Sequence, residues 1–509
     1  AAARSTVLHP VRIAALLDDR LNLLTTGRRT ALPRHQTLRA ALDWSYNLLP
    51  DAEAQILRHL AVFAGEFSLS AAASVTGLDR TAIADHVAGF VNKSLVVAGF
   101  RDEYSHYRLL ETTRAYLLEK LQGCGEYIEA AQRLANYYTA ELKTRLAPPS
   151  ANDVDKLDRL IPHLANVRAA LDWAFGSDGD VPTGAALTAA AVPLWINQSL
   201  FSECRERSEL ALARLNSISW DDQHLRMQLS AALGWSLMYG VGRVREAGPL
   251  LETTLEFADR LGDRDYRLRA LWGLCIDQFN NGDFRRALDY AERFAFATQG
   301  SEDPADQVLA DRLLAVAFHY LGNQTKARYH IDHVATRLGT LGERPRVFPL
   351  ELKASTYYFR ARILWLQGLA DQATNLATQN IETGQNHALT FCSVLAQAAC
   401  PIAYLAGDFD AAERYGQLLL DHTQRYAIRS WWRWADCFVA MVKARRGDLN
   451  GGLDMLRDAL EGAGEARLLP RFLLPLAEFA ALLGEAGEIG QGLATVEGII
   501  ERTRVRDER

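Results

Sequence analysis

Seven glycines recur along the chain at near-constant spacing, and no other feature limits the possible folds so strongly. They are Gly242, Gly282, Gly322, Gly368, Gly407, Gly447 and Gly487, separated by 40, 40, 46, 39, 40 and 40 residues. Each closes an apolar, helix-forming run. In the clearest units the glycine is followed by Asp or Asn and then, five positions on, by alanine, as in "NNGDFRRAL" with Gly282 and Ala287 and "LGNQTKA" with Gly322 and Ala327. A glycine at that place supplies the left-handed backbone that ends a helix. The small alanine lets the next helix approach the first. A helix pair of this kind cannot bury its apolar face alone, so the units must stack. Two further units, Leu194–Leu212 and Leu164–Asp180, read as degenerate copies. Alternating Val/Ile runs are almost absent, which predicts an all-helical chain from about residue 125 onward, stacked into a right-handed superhelix.

The 509 residues exceed one compact core and suit roughly three domains. Hydrophobic residues make up 49% and charged residues 23%, as in a folded chain. The net charge of −6 argues against a nucleic-acid footprint, which needs a basic face. The six cysteines (Cys124, Cys204, Cys275, Cys392, Cys400 and Cys437) form no CxxC pair and no zinc spacing, and read as reduced and mostly buried in a cytoplasmic protein. No run of about 20 apolar residues stands out; "GAALTAAAVPLWI" from Gly184 is too short and holds a proline. No signal-peptide pattern opens the chain.

The part before the repeats reads differently. A helix is expected over "DAEAQILRHLAVFA", with Ile56, Leu57, Leu60 and Phe63 on one face. A short helix "LSAAASVTG" follows, capped by Ser68 or Ser70, and then a third, "DRTAIADHVAGFVNKS". Two strands, "LVVAGF" from Leu95 and "HYRLL" from His106, precede a long helix from Glu111. Three helices with a β-wing make a winged helix.

The repeats resemble the tetratricopeptide repeat, with a period longer than its usual value of about 34 residues. That longer period looks like the superhelix of bacterial regulators of the maltose-regulon activator type. The order "LDDRLNLLTTGRRTALPRHQTLRAALDWSYNLLP…LRHLAVFAGEFSL…FVNKSLVVAGF…YRLLETTRAYLLEKL" closely resembles the signal-transduction ATPases with numerous domains (STAND proteins), in their branch of bacterial transcriptional regulators. The resemblance implies four parts: residues 1–48 as the end of the helical subdomain, 49–122 as the winged helix, 123–225 as a helical lead-in with degenerate repeats, and 226–509 as the superhelix. The fold class is mostly α, ending in a solenoid of repeats of about 40 residues. In that family "AAAR" falls just after a "GLPLA" motif, so the chain is expected to be the C-terminal portion of a longer switch protein. The implied partners are its own N-terminal ATPase half, an inducer or partner protein, and, on activation, further copies of itself.

No G-x-x-x-x-G-K-[ST] loop occurs, so no backbone cradle for phosphates is expected; ATP or ADP belongs to the full-length protein only. Family members carry a Met-His-Asp motif in the winged helix, where this sequence has Leu110 and Glu111. A nucleotide contact would then fall to Arg34 or His35 of "PRHQT"; otherwise the two form a helix-leading turn. The helix from "DRTAIADHVAGFVNK" has nearly balanced charges, which favours a hinge role over DNA contact. No HExxH, GxSxG or metal-spaced carboxylate set appears, so no catalytic or metal residue is assigned.

A ligand is expected on the concave side, lined by the first helix of each unit. The predicted inner face comprises Arg269, Trp272, Phe279, Asn280, Arg312, His319, Tyr320, Tyr358, Arg362, Trp365, Gln397, Tyr404 and Trp434. Rigid aromatics with a few arginines suit capture of an anionic ligand or a peptide carboxylate. The sequence leaves open a sensor and relay, a protein-binding scaffold, and, less well supported, an enzyme built on the solenoid.

Overall fold

The computed structural model describes residues 38–101, 104–145, 161–238, 244–301, 303–340, 352–385, 387–426, 428–464 and 470–506. These fall into two compact units, one up to residue 191 together with 214–220, the other 192–213 and everything described from 221 on.

In the first unit, α1 (Leu38–Asn47), α2 (Asp51–His59), α3 (Leu69–Thr76) and α4 (Arg80–Asn92) precede a two-stranded sheet, β1 (Val97–Arg101) and β2 (Tyr104–Arg108). Helices α5 (Glu111–Gly123), α6 (Tyr127–Arg145) and α7 (Leu164–Ala174) follow. Local chemistry sets the helix limits. The Ser68 side chain accepts from Ala71 N, Gly77 closes α3 at φ 75°, and Asp79 caps α4 through Thr81 N and Ala82 N. Helix α2 ends earlier than its apolar pattern suggests, tightening into a 3-10 turn at Leu60–Val62. The first strand starts at Val97 rather than Leu95, because Leu95 N and Val96 N both bond back to Phe90 O at the end of α4. The sheet is antiparallel with Gly99 opposite His106. A β-carbon at Gly99 would meet the His106 imidazole at 2.4 Å, so a larger residue there would require that ring to turn aside. Phe67 and Tyr107 exchange backbone hydrogen bonds of 2.8 and 2.9 Å, a third strand contact that no sequence pattern signalled. The core gathers Leu57, Phe63, Phe67, Phe90, Tyr116 and Tyr138.

The lead-in helix α7 is tied to the same unit by Asn166, which is fully buried. Its amide oxygen accepts from Gly65 N at 2.8 Å, and its amide nitrogen donates to Glu66 O at 2.7 Å and to the Tyr138 hydroxyl at 2.8 Å.

Helices α8 (Val181–Asn197) and α9 (Phe201–Ser217) lead to the regular repeats: α10 (Gln223–Ser236), α11 (Val244–Leu261), α12 (Arg264–Asn281), α13 (Phe284–Ala297), α14 (Pro304–Tyr320), α15 (Gln324–Arg337), α16 (Leu352–Leu366) and α17 (Ala370–Gly384). Next, α18 (Ala388–Val394) runs through a π-helical stretch, Leu395–Ala399, into α19 (Cys400–Leu405). The series ends with α20 (Phe409–Arg425), α21 (Arg429–Arg445), α22 (Leu449–Gly462), a 3-10 turn at Pro470–Phe472, α23 (Leu473–Glu485) and α24 (Ile489–Arg506). From α10 on, each helix packs against its successor. Among the described residues beyond 125 there is no strand, in keeping with the repeat pattern.

The repeat signature acts physically as its spacing predicts. Gly282, Gly322, Gly368 and Gly407 lie at φ between 77° and 79°. Asp283, Asn323, Asp408 and Asp448 cap the next helix, each accepting from the backbone N–H three residues on. Ala287, Ala327, Ala373 and Ala412, five positions after each glycine, are fully buried against the preceding helix. In the next unit Gly452 takes this place, where a β-carbon would fall 2.5 Å from Ala444 N. Gly242 lies outside the described residues.

One expectation needs correction. The stretch Ala388–Leu405 is long and apolar enough to cross a membrane, with mean hydropathy 1.6, although no such run was expected. Here it is 78% buried within the superhelix. An unusually apolar composition reflects a core helix covered by neighbours on nearly all sides.

Candidate functional site

The predicted inner-face residues separate into groups. Phe279, Arg312, His319, Tyr320, Tyr358, Arg362 and Gln397 come together, all within the second unit. At their centre stands Phe359, which the sequence reading missed. The Tyr320 ring lies 4.6 Å from Phe284 with an interplanar angle of 1°, and 5.7 Å from Phe279. Phe359 meets the edges of His319 and Tyr320 and tilts against Tyr358 at 4.7 Å. Arg362 lies over the rings of Tyr320 and Phe359, and its Nη1 donates to the Tyr320 hydroxyl at 3.3 Å and to Gln397 Oε1 at 2.8 Å.

Arg312 corrects the expectation of an open arginine wall. It is 3% exposed, lies over Phe359, and donates from Nε to Ser355 Oγ at 3.0 Å. Trp272, Phe279, His319, Tyr358, Tyr404 and Trp434 are buried as well. At these positions the aromatics serve interhelical packing, because a helix in the middle of a solenoid has neighbours on both sides and presents only a narrow free stripe. Arg269, Asn280, Tyr320, Arg362, Trp365 and Gln397 keep partial exposure. Arg269 stands outside the cluster: its Nε pairs with Asp265 at 2.7 Å and its guanidinium covers Tyr266. Arg34 and His35 lie outside the described residues.

A second group forms around Tyr404 and Trp434. Tyr404 accepts from Arg445 Nε at 3.3 Å, and Arg445 also engages Glu478 and Glu485. Trp434 tilts against Phe438 at 4.1 Å and donates from Nε1 to the backbone oxygen of Arg471 at 3.0 Å. Arg471 belongs to the Pro470–Phe472 turn, which packs against α12, several repeats earlier in the chain. Its guanidinium lies 4.8 Å from the Trp431 ring. Desolvation pulls its pKa down to about 10, opposed by the phenol of Tyr320. No periodic signal marks Arg471, since it sits in the connection between helices.

Electrostatics in the first group point one way. Burial drives the His319 pKa down to about 3, and the positive charge of Arg362 pushes in the same direction. The imidazole is therefore neutral, its Nδ1 paired with Gln324 at 3.0 Å. The Tyr358 phenol is pushed up, chiefly by burial. Elsewhere, a recess of about 670 Å³ is lined by Ser199, Phe201, Glu203, Glu206, Arg207 and Tyr426 among others, and sequence reasoning gave no hint of it. Among the described residues no cluster of His, Cys, Asp and Glu has the arrangement of a metal site.

Comparison with known proteins agrees with this architecture. Residues 49–122 match the profile of a winged helix-turn-helix domain. A protein of Mycobacterium tuberculosis strain H37Rv, named as an HTH-type transcriptional regulator, is 38% identical over 237 residues, which is 46% of this chain and 26% of the relative. A second, uncharacterised M. tuberculosis protein is 40% identical over 130 residues, 25% of this chain and 33% of its own length. The chain thus matches about a quarter to a third of these relatives' length. Among solved structures, a Rap protein complexed with competence and sporulation factor superposes with a TM-score of 0.52 at 12% identity, covering 72% of this chain and 99% of that one. That likeness concerns the fold alone. The class is therefore a helix-turn-helix domain like that of transcriptional regulators joined to a tetratricopeptide-like solenoid.

Proposed function

We propose that this chain is the sensing and relay portion of a STAND-type bacterial transcriptional regulator. The superhelix takes an inducer or a partner protein on its inner face. The winged helix passes that state to the nucleotide-binding half of the full-length protein, where Arg34 or His35 would approach the nucleotide. A ligand moves such a switch only by binding its two arrangements with different affinity. The observation that carries the reading is the union, in one chain, of a regulator-like winged helix at 49–122 with repeats whose inner residues gather arginine, tyrosine and glutamine at Tyr320, Arg362 and Gln397. The solved Rap protein holds competence and sporulation factor, which supports ligand capture as a use for this fold.

The winged helix acts here as a hinge rather than a DNA reader. Of the charged groups along α4, Asp79 is spent on capping and Lys93 pairs with Glu53 at 2.6 Å, leaving Arg80 against Asp85. A DNA-reading helix needs several phosphate and base donors. Hydrogen exchange of the full chain, with and without a ligand that binds the superhelix, tests the relay. Protection should change within 49–122; unchanged exchange there at saturation overturns it. Sequence-specific, salt-dependent DNA binding by this chain would overturn the hinge role.

The rival reading is a protein-binding scaffold without small-molecule sensing. It draws support from the last helix, where Ile489, Leu493, Val496 and Ile500 form an exposed apolar stripe at helical spacing. A partner protein captured in the absence of any small ligand, with no change in 49–122, would favour it.

A further inference from the structure

We propose that the outward face of α24 is an interface between two copies of this chain, paired antiparallel about a two-fold axis. The pairing needs neither a ligand nor a nucleotide, so it stands apart from the sensor reading.

Two successive repeats carry the same apolar stripe. Two, six, nine and thirteen residues after Gly447 stand Leu449, Leu453, Leu456 and Leu460; at the same offsets from Gly487 stand Ile489, Leu493, Val496 and Ile500. Helix α22 packs against both α21 and α23, and there Leu453, Leu456 and Leu460 are buried. Helix α24 packs on α23, and there Ile489 is 62%, Leu493 59%, Val496 39% and Ile500 58% exposed. A β-carbon at Gly492 would fall 2.9 Å from Ala480 O, so that side of α24 meets α23 and the stripe is left on the outward side. An outer face that water covers is polar in a solenoid. This one keeps the residues of a contact between units.

The spacing of the stripe, four, three and four residues, is that of a helix–helix seam and reads the same in both directions. Two copies of α24 laid antiparallel therefore match along its length: Leu493 meets the partner's Val496, and Ile489 meets the partner's Ile500. A two-fold interface requires self-complementarity of this kind, because the same patch serves both copies. Gly490 and Gly498 flank the stripe with nothing within 4 Å of a β-carbon, so no side chain holds the partner off. Exposed Glu497 and Glu501 border it, which disfavours an anionic membrane as the occupant. From Ile489 to Ile500 the stripe is about 16 Å long. So short a contact belongs with weak, reversible interfaces, with a Kd of about 10–100 µM.

Sedimentation equilibrium of the full chain, from about 1 to 300 µM, should follow a monomer–dimer equilibrium. The double variant Leu493→Glu, Val496→Glu should weaken it about tenfold or more, since it sets four carboxylates in the seam. Phe296→Ser, at an exposed apolar residue of α13, should leave it unchanged. Circular dichroism melts check that each variant folds; if the double variant does not, Val496→Lys alone carries the comparison. Cross-linking tests the direction of pairing, with the exposed Cys124 changed to Ser. Under mild oxidation, a mixture of Leu493→Cys and Val496→Cys chains should form disulfide dimers faster than either chain alone. A chain that stays monomeric to about 300 µM overturns the inference and hands the stripe to a different protein, as the scaffold reading has it. Association that the glutamates leave unchanged overturns it as well, because the contact then lies elsewhere. Faster cross-linking of either single variant than of the mixture overturns the antiparallel arrangement.

Discussion

Tyr320 and Arg362 join two consecutive repeat units: Arg362 Nη1 lies 3.3 Å from the Tyr320 hydroxyl, and its guanidinium carbon lies 5.3 Å from the centre of the same ring. The phenol is at once a stacking partner of Phe284 and a polar anchor for a cation on the next unit. A residue that packs on one side and bonds on the other ties the two units together.

Asn166 is expected to be a stability determinant of the first unit. Its side chain satisfies Gly65 N–H and Glu66 C=O, two groups of a turn with no ladder of its own. Asn166→Ala leaves these two half-buried groups without that partner, and each costs toward the lower end of the about 1–3 kcal/mol of an orphaned buried group. Urea denaturation followed by near-ultraviolet circular dichroism should show a loss of about 2–4 kcal/mol. A change below about 0.5 kcal/mol would mean that water replaces these bonds freely.

Arg312 separates charge from volume. Its buried guanidinium has a hydroxyl and a ring as partners and is costly to desolvate. Arg312→Met keeps most of the volume and should fall within about 1 kcal/mol of the natural protein, or exceed it. Arg312→Ala should lose about 2–4 kcal/mol through the void it leaves. Equal losses in both would show that the hydrogen bond to Ser355, not packing, holds the site.

Gly452 tests the close approach of paired helices. A β-carbon there meets Ala444 N at 2.5 Å, a backbone atom that cannot move aside. Gly452→Ala should destabilise by about 1–3 kcal/mol. Gly498, in the last helix, has nothing within 4 Å of a β-carbon. Gly498→Ala should be neutral or gain up to about 1 kcal/mol from helix propensity. The melting temperature should therefore fall for Gly452→Ala and stay level or rise for Gly498→Ala.

Asp277 predicts a pH dependence. The residue is 2% exposed, its Oδ2 accepts from Gln278 and Asn281, and its Oδ1 is buried without a partner among the described residues. Burial raises its pKa to about 7. Between about pH 4 and 7 the unfolded carboxyl is ionised while the folded one holds its proton, so the unfolded state binds fewer protons and stability falls as pH rises. Asp277→Asn removes this effect. The stability of the variant relative to the natural protein should climb across that window and then level off, by roughly 3–4 kcal/mol at most. A flat difference between pH 4 and 8 would refute the raised pKa.

The sequence by itself determined the repeat architecture. Glycine at a helix end, a capping Asp or Asn beside it and a small residue five positions on are local requirements, each met by one or two residue types, so their recurrence is readable. The three helices and wing of the first unit were readable for the same reason. Only the tertiary structure decided which inner-face residues are available. Trp272, Arg312 and Tyr358 share a helical phase with Tyr320 and Arg362 closely enough to be predicted together, yet burial against the neighbouring helices separates them. Phe359 was missed because it adjoins Tyr358, and a shift of one residue turns a helical side chain by about 100°. Arg471 was missed because it lies in a connection that packs on α12, far away in sequence. Such a long-range contact depends on the curvature of the whole superhelix, the sum of many small rotations between repeats, which no single stretch of sequence encodes.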